Sequence, residues 1–306
     1  MTFVEEKINS LEKERKKGIA RLRNFALFVM AFGVGAGFFI FQSGKGLNSI
    51  GLILSALFAF LIIFLVFMSQ ITNDSYKRSF SRIVILPTIK QISSKLDYFP
   101  KRKIQEYDFK QSGLVNQKFD EYKGDNYISG EYSGINVEMS NVEAILYIKT
   151  GEHGGNHDIT LFDGFLLKGT LKKPVDYPLY IYRDIAEKTL GRVVGRFMQK
   201  IAKPKRELMQ LDSPSFEKEF VAYTKDQIYG RYILTNSFME DILEFKNSLG
   251  FDVALTFTGK HFYIGVYNFK ISEPSFFTKT KSEDLIRNIN ELNLILSFAE
   301  KVGKRL

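Results

Sequence analysis

The sequence has no cysteine. Disulfides, thiolate metal centres and cysteine nucleophiles are therefore excluded, and the composition suits a reducing compartment. Histidine is scarce, with only His153, His157 and His261. Catalytic signatures are missing as well: there is no G-x-S-x-G nucleophile elbow and no G-x-x-x-x-G-K-[ST] phosphate loop. Gly44-Lys45-Gly46 follows no strand and lies between apolar runs, so it is not a phosphate cradle. The most informative absence is charge. Residues 25–41 and residues 47–68 contain no charged side chain at all.

At 1.5 Å per residue these runs make helices of about 26 Å and about 33 Å, against a hydrocarbon core of about 30 Å. In hydrocarbon every backbone amide must bond within its own segment, so such runs are helical whatever their β-branched content. A core helix of a soluble domain would keep a polar stripe, and these keep none. The expectation is two transmembrane helices within residues 25–68, in contact with the lipid bilayer. Gly33 and Gly37 are four apart on the first, and Gly51, Ser55 and Ala59 are four apart on the second. Small residues at that spacing allow close backbone approach in lipid. A turn near Gly44 brings Gly37 level with Gly51 and Gly33 level with Ser55, which predicts a tight hairpin of small residue on small residue.

Flanking charge sets an expected orientation. Seven cations precede the first helix, from Lys7 to Arg23; Lys77, Arg78, Arg82 and Lys90 follow the second; the loop has Lys45 alone. Lys and Arg are retained inside, so both termini are expected in the cytoplasm. A cleaved signal peptide does not fit a long leader holding Glu5, Glu6, Glu12 and Glu14 with a second apolar run following at once. The leader, residues 1–24, reads as a charged helix with Val4, Ile8, Leu11 and Leu22 near one face and Glu12 paired with Lys16. The leader is either a helix lying on the headgroups or pairing with a partner, or a solvated lead-in; its apolar face is thin, so the solvated lead-in is expected.

Residues 69–105 read as a helical stalk with a kink or break near Leu86, ahead of Pro87. Residues 106–306 read as one cytoplasmic region. Alternating runs at 127–132, 135–139, 144–148 and 159–167 predict an antiparallel sheet with glycine-containing turns. Pro174 and Pro178 then mark a turn toward a helix over residues 185–201. Arg192, Arg196, Lys200 and Lys203 form either the solvated face of a helix docked on the sheet or a contact for anionic lipid or an acidic partner.

Further on, residues 208–211 and 221–223 suggest short strands. Ser213 and Pro214 open a helix reaching Phe220. Residues 226–233 make a helical turn or two. Thr235, Asn236 and Ser237 supply caps for the next helix, with Ser237 and Glu240 spaced as a capping box, and Gly250 ends it. Runs at 253–257 and 262–267 flank Gly259-Lys260 as a hairpin. Ser282 opens a last helix, which Gly303 closes. The fold class is α+β: an N-terminal two-helix transmembrane hairpin, then a cytoplasmic domain of antiparallel sheet with packed helices.

The residues Leu211-Asp212-Ser213-Pro214-Ser215-Phe216-Glu217-Lys218-Glu219-Phe220-Val221-Ala222-Tyr223, Asp226-Gln227-Ile228 and Arg231-Tyr232-Ile233-Leu234-Thr235 resemble the signature of an uncharacterised bacterial family, domain of unknown function number 3137. Phe162-Asp163-Gly164-Phe165-Leu166-Leu167 is similar to its F-x-G-L-F-F stretch. The resemblance implies two early membrane helices, a cytoplasmic α+β region, a bacterial inner-membrane location, and a LemA-like membrane protein as a candidate partner. It supplies no catalytic residues.

Net charge is +9, which favours anionic partners, and for a membrane protein the nearest are lipid headgroups. No nucleic-acid module is present, so nucleic acid is not an expected partner. The leading expectation is a membrane-anchored scaffold or adaptor that binds another protein, with no cofactor and no enzymatic activity. The alternative is a membrane-bound hydrolase or metal enzyme using His153 and His157, four apart beside Glu152 and Asp158 in a glycine-rich turn. His261 is expected to be exposed.

Overall fold

The computed structural model describes residues 2–42, 49–149, 156–183, 207–272 and 274–306. They divide into two compact units, Met1–Thr88 with Ser272–Ile286, and Ile89–Ile271 with Arg287–Leu306.

In the first unit the charged leader and the first apolar run are one helix, α1 (Thr2–Gln42). It lies antiparallel to α2 (Ser49–Phe80): Phe25 meets Phe64 edge-on at 5.9 Å, and Glu12 lies level with Tyr76. The leader is not a solvated lead-in. Ile8, Leu11, Glu12 and Arg15 are all buried, and Glu12 pairs with Arg15 rather than with Lys16, which is exposed. Its thin apolar face is covered because the segment ahead of the last helix packs on it, a contact no local pattern records.

Pro87 has no N–H to donate and would clash with the carbonyl four residues back. The chain widens before it. Ser81–Ile85 form a π-turn, closed by the Leu86 N–H donating to the Ser81 carbonyl, and α3 (Leu86–Ile92) then resumes. The Thr88 hydroxyl donates to the Val84 carbonyl at 2.7 Å, giving one carbonyl at the defect a partner. The expected break is thus a bulge of the kind that absorbs a proline inside a helix. The helical stalk also stops earlier than expected, since Leu96–Phe99 form strand β1.

Among the described residues the second unit is built on a nine-stranded sheet, in the order β1-β2-β3-β4-β9-β8-β5-β7-β6, with every pair antiparallel. Its strands are β2 (Glu121–Tyr132), β3 (Ile135–Lys149), β4 (Asn156–Thr170), β5 (Leu179–Arg183), β6 (Glu207–Leu208), β7 (Phe220–Thr224), β8 (Val253–Thr258) and β9 (His261–Tyr267). The runs at 135–139 and 144–148 join into the single strand β3. Ser133 and Gly134 both take positive φ in the tight turn before it. After Pro178 the chain enters β5, not directly a helix; residues 185–201 lie outside the described residues.

The short helices are α4 (Glu106–Ser112), α5 (Pro214–Glu217) and α6 (Gln227–Ile233), followed by α7 (Asn236–Leu249). The helix expected to reach Phe220 ends at Glu217, and Phe220 starts β7. Of the expected caps Thr235 is the one used, accepting from the Phe238 N–H, and the capping box at Ser237 and Glu240 does not form. Gly250 ends α7 at φ 73°, as expected. The last helix, α8 (Ser282–Arg305), runs past Gly303. A Cβ there would stand 2.3 Å from Ile135 Cδ1, so Gly303 permits a close approach and closes nothing.

The sheet is covered on both faces. On one, Phe109 of α4 packs on Phe162 and Tyr122, among Val142, Ala144, Leu166, Ala254 and Tyr263. On the other, α7 and α8 pack together through the stacked rings of Phe245 and Phe298, 4.1 Å apart, with Phe238 reaching Phe257 of β8. Ala254 and Phe257 lie on opposite faces because side chains alternate along a strand.

Candidate functional site

Two clusters stand out, one in each unit. The first lies where the helix pair turns polar. Residues Ser272–Ile286, here called the strap, contribute to the first unit. Arg15 donates from Nε to both Glu12 carboxylate oxygens at 2.9 Å, and from a terminal nitrogen to the Phe276 carbonyl at 3.2 Å. Glu12 Oε1 also accepts from the Thr280 N–H at 3.2 Å and from the Tyr76 hydroxyl at 3.4 Å. The Phe276 N–H donates to Asn73 Oδ1 at 2.9 Å. The Phe276 ring stands edge-on to Tyr76 at 5.8 Å and fills the space beside Gly18, where a Cβ would be 2.7 Å from the ring. The arrangement is a polar clasp sealed by aromatics, with the Glu12 and Arg15 side chains 9% and 7% exposed. Burial is the main cause that raises the Tyr76 pKa above its ordinary 10.0.

Beyond the clasp, the apolar parts of α1 and α2 turn outward. Phe28, Val34, Phe38, Phe41, Ile53, Phe60 and Ile63 are all exposed. The most apolar 18-residue window of each helix is only 6% buried, so these are not core helices, and both are long and apolar enough to cross a membrane.

The second cluster lies in the sheet unit beside α4. Lys168 of β4 places Nζ 2.9 Å from both Asp108 Oδ1 and Glu138 Oε1. Tyr127 donates to Glu138 Oε2 at 2.7 Å. Burial opposes the Lys168 charge, yet its two carboxylate partners outweigh that and hold the ammonium above its ordinary range. Burial likewise opposes ionisation of Glu138, but the Tyr127 and Lys168 hydrogen bonds leave its pKa lowered. Tyr127 and Tyr263 are pushed up to about 12, chiefly by burial. His261 is half-buried, not exposed: burial and then the Lys168 charge lower its pKa, so it is neutral at pH 7. A lysine held protonated between two carboxylates is neither a base nor a nucleophile, so this cluster ties α4 to the sheet.

Residues 160–304 match the family model described as Protein of unknown function (DUF3137). Over that stretch the chain is similar to the DUF3137 family. The match runs from β4 to the end of α8 and includes the strap, while α1 and α2 precede it. The crystal structure of the mycobacterial trehalose monomycolate transport factor A, TtfA, aligns with 66% of this chain and 88% of that one, at 9% identity and a TM-score of 0.32. That likeness is too remote to carry fold or function across. No curated protein matches the chain.

The residues expected to pack the helix pair are only partly brought together. A Cβ at Gly33 would lie 2.4 Å from the Phe58 ring, whereas a Cβ at Gly37 would meet nothing within 4 Å. Gly51 is buried, and Ser55 and Ala59 are exposed. The helices therefore meet as glycine against phenylalanine, and the facing stripes of small residues do not form. Arg192, Arg196, Lys200 and Lys203 lie outside the described residues, as does His153. His157 is in β4, opposite Ile148, rather than in a turn. Among the described residues no group of three or more metal-ligating side chains comes together. Sequence reasoning missed the strap altogether; the signal available was the pair Phe276-Phe277 in an otherwise polar run.

Proposed function

We propose that this protein is a two-pass anchor in a bacterial inner membrane, with both termini in the cytoplasm. Its sheet unit then acts there as a scaffold or adaptor for another protein. The observation that carries this reading is the outward apolar surface of α1 and α2: water would charge about 25 cal/mol for each Å² of it, and hydrocarbon would not. The cations before α1's apolar run and late in α2 support that orientation. A LemA-like membrane protein is the first partner to test, on the family resemblance.

Alkaline carbonate extraction tests the anchor. The chain should stay with the membrane pellet, and release into the supernatant overturns the reading. Stoichiometric co-purification of a second protein from gently solubilised membranes supports the adaptor role. Recovery of the chain alone after cross-linking in cells contradicts it.

A further inference from the structure

The outward side of the clasp carries a second pattern, which rests on the membrane reading above and specifies what the polar end touches. Arg23, Arg21, Lys17 and Lys16 of α1 are all exposed. With 1.5 Å of rise per residue, Arg23 and Arg21 stand about 3 Å and about 6 Å outside residue 25, and the two lysines about 12–14 Å outside it. A headgroup layer is about 5–8 Å deep on each side. Both arginines thus fall inside it, and the lysine stems reach back toward it. No carboxylate occurs from residue 15 to residue 25. The nearest buried one, Glu12, has its charge met by Arg15 inside the clasp. The exposed Glu14 and Asp74, and Glu283 and Asp284 of the strap, oppose the pattern.

The strap adds to the same level of the unit. Phe276 is seated against Gly18, about 10 Å outside the apolar run. Its neighbour Phe277 is 55% exposed, and Lys279 is exposed too. An exposed aromatic ring and an exposed lysine, a few ångströms beyond the outer edge of the headgroup layer, are within a side chain's reach of it and match a surface that is anionic outside and apolar just beneath. We propose that Lys16, Lys17, Arg21 and Arg23, with Phe277 and Lys279 of the strap, form a binding surface for anionic phospholipid headgroups. The strap is thereby placed against the bilayer as well as against the helices.

The sequence has no tryptophan, so Phe277→Trp provides a single tryptophan in the full chain, excited selectively at the red edge beyond tyrosine absorption. The protein is reconstituted in nanodiscs of brominated phosphatidylcholine, alone or with brominated phosphatidylglycerol. Emission should be bluer and more strongly quenched in the anionic discs. That difference should vanish when Lys16, Lys17, Arg21 and Arg23 are all changed to Gln, with the apparent affinity for phosphatidylglycerol falling about fivefold per charge removed. The same spectrum in both lipids, or a difference untouched by the four substitutions, overturns the proposal. Phe38→Trp, within the apolar part of α1, is the companion reporter and should be quenched in both discs. Quenching there without a lipid-dependent response at position 277 refutes the headgroup surface alone; no quenching at position 38 refutes the membrane reading and the proposal with it.

Discussion

Replacing Arg15 by Met would show whether the clasp holds the strap to the helix pair. The substitution keeps the buried stem and removes the guanidinium, leaving the Glu12 carboxylate with the Thr280 N–H and the Tyr76 hydroxyl only. At 2.8 Å and an effective dielectric of about 20, the lost attraction is about 6 kcal/mol in gross terms. The intact pair already bears several kcal/mol of desolvation per ion, so its net worth is small. Breaking it is different, since an uncompensated buried charge costs about 3–5 kcal/mol. Arg15→Met should therefore destabilise the first unit by about that much, and amide exchange at Phe276 and Thr280 should rise by orders of magnitude. Adding Glu12→Gln to Arg15→Met removes the stranded charge and should recover more than half of the loss. The measurement is hydrogen exchange by mass spectrometry in detergent, together with thermal unfolding. A double variant as unstable as the single one, or unchanged exchange in the strap of the single variant, would refute the reasoning.

Gly33→Leu must displace the Phe58 ring and should cost about 1–3 kcal/mol by overpacking, while Gly37→Leu, with open space around it, should be nearly neutral in the same detergent melt. Phe298→Ala removes the ring stacked on Phe245 between α7 and α8 and should cost about 3–5 kcal/mol in chemical denaturation. The lowered pKa of His261 means that the folded protein binds this proton less readily than the unfolded chain. Its contribution to stability is therefore complete above the ordinary value of 6.5 and is lost as pH falls from there through the folded value. Unfolding followed across that range should show a shallower acid-side loss in His261→Gln than in the parent.

The two apolar runs were legible because charge was absent from them, and the hairpin β8–β9 because Gly259 supplies φ 56° where the turn needs it. Gly250 was legible for the same reason at the end of α7. What escaped was non-local. Glu12 and Arg15 look like one more solvated pair until Phe276, more than 260 positions away, closes over them. Gly303 resembles a helix stop, yet its lack of a side chain serves contact with Ile135 of β3. Gly37 fits the spacing of a close-packed stripe but faces open space, and the neighbour at Gly33 is the large Phe58 ring rather than a small residue. The His261 environment depended on Lys168, Asp108 and Glu138, which three separate elements bring together.

Because the natural chain has no cysteine, single-cysteine reporters give the most direct test of the two-pass arrangement. Lys45→Cys, between the apolar runs, and Lys304→Cys, at the end of α8, are each labelled in intact cells with a membrane-impermeant maleimide. The account predicts that Lys45→Cys is labelled from outside and Lys304→Cys only after permeabilisation. Labelling of Lys304→Cys in intact cells, or protection of both positions until permeabilisation, would contradict it.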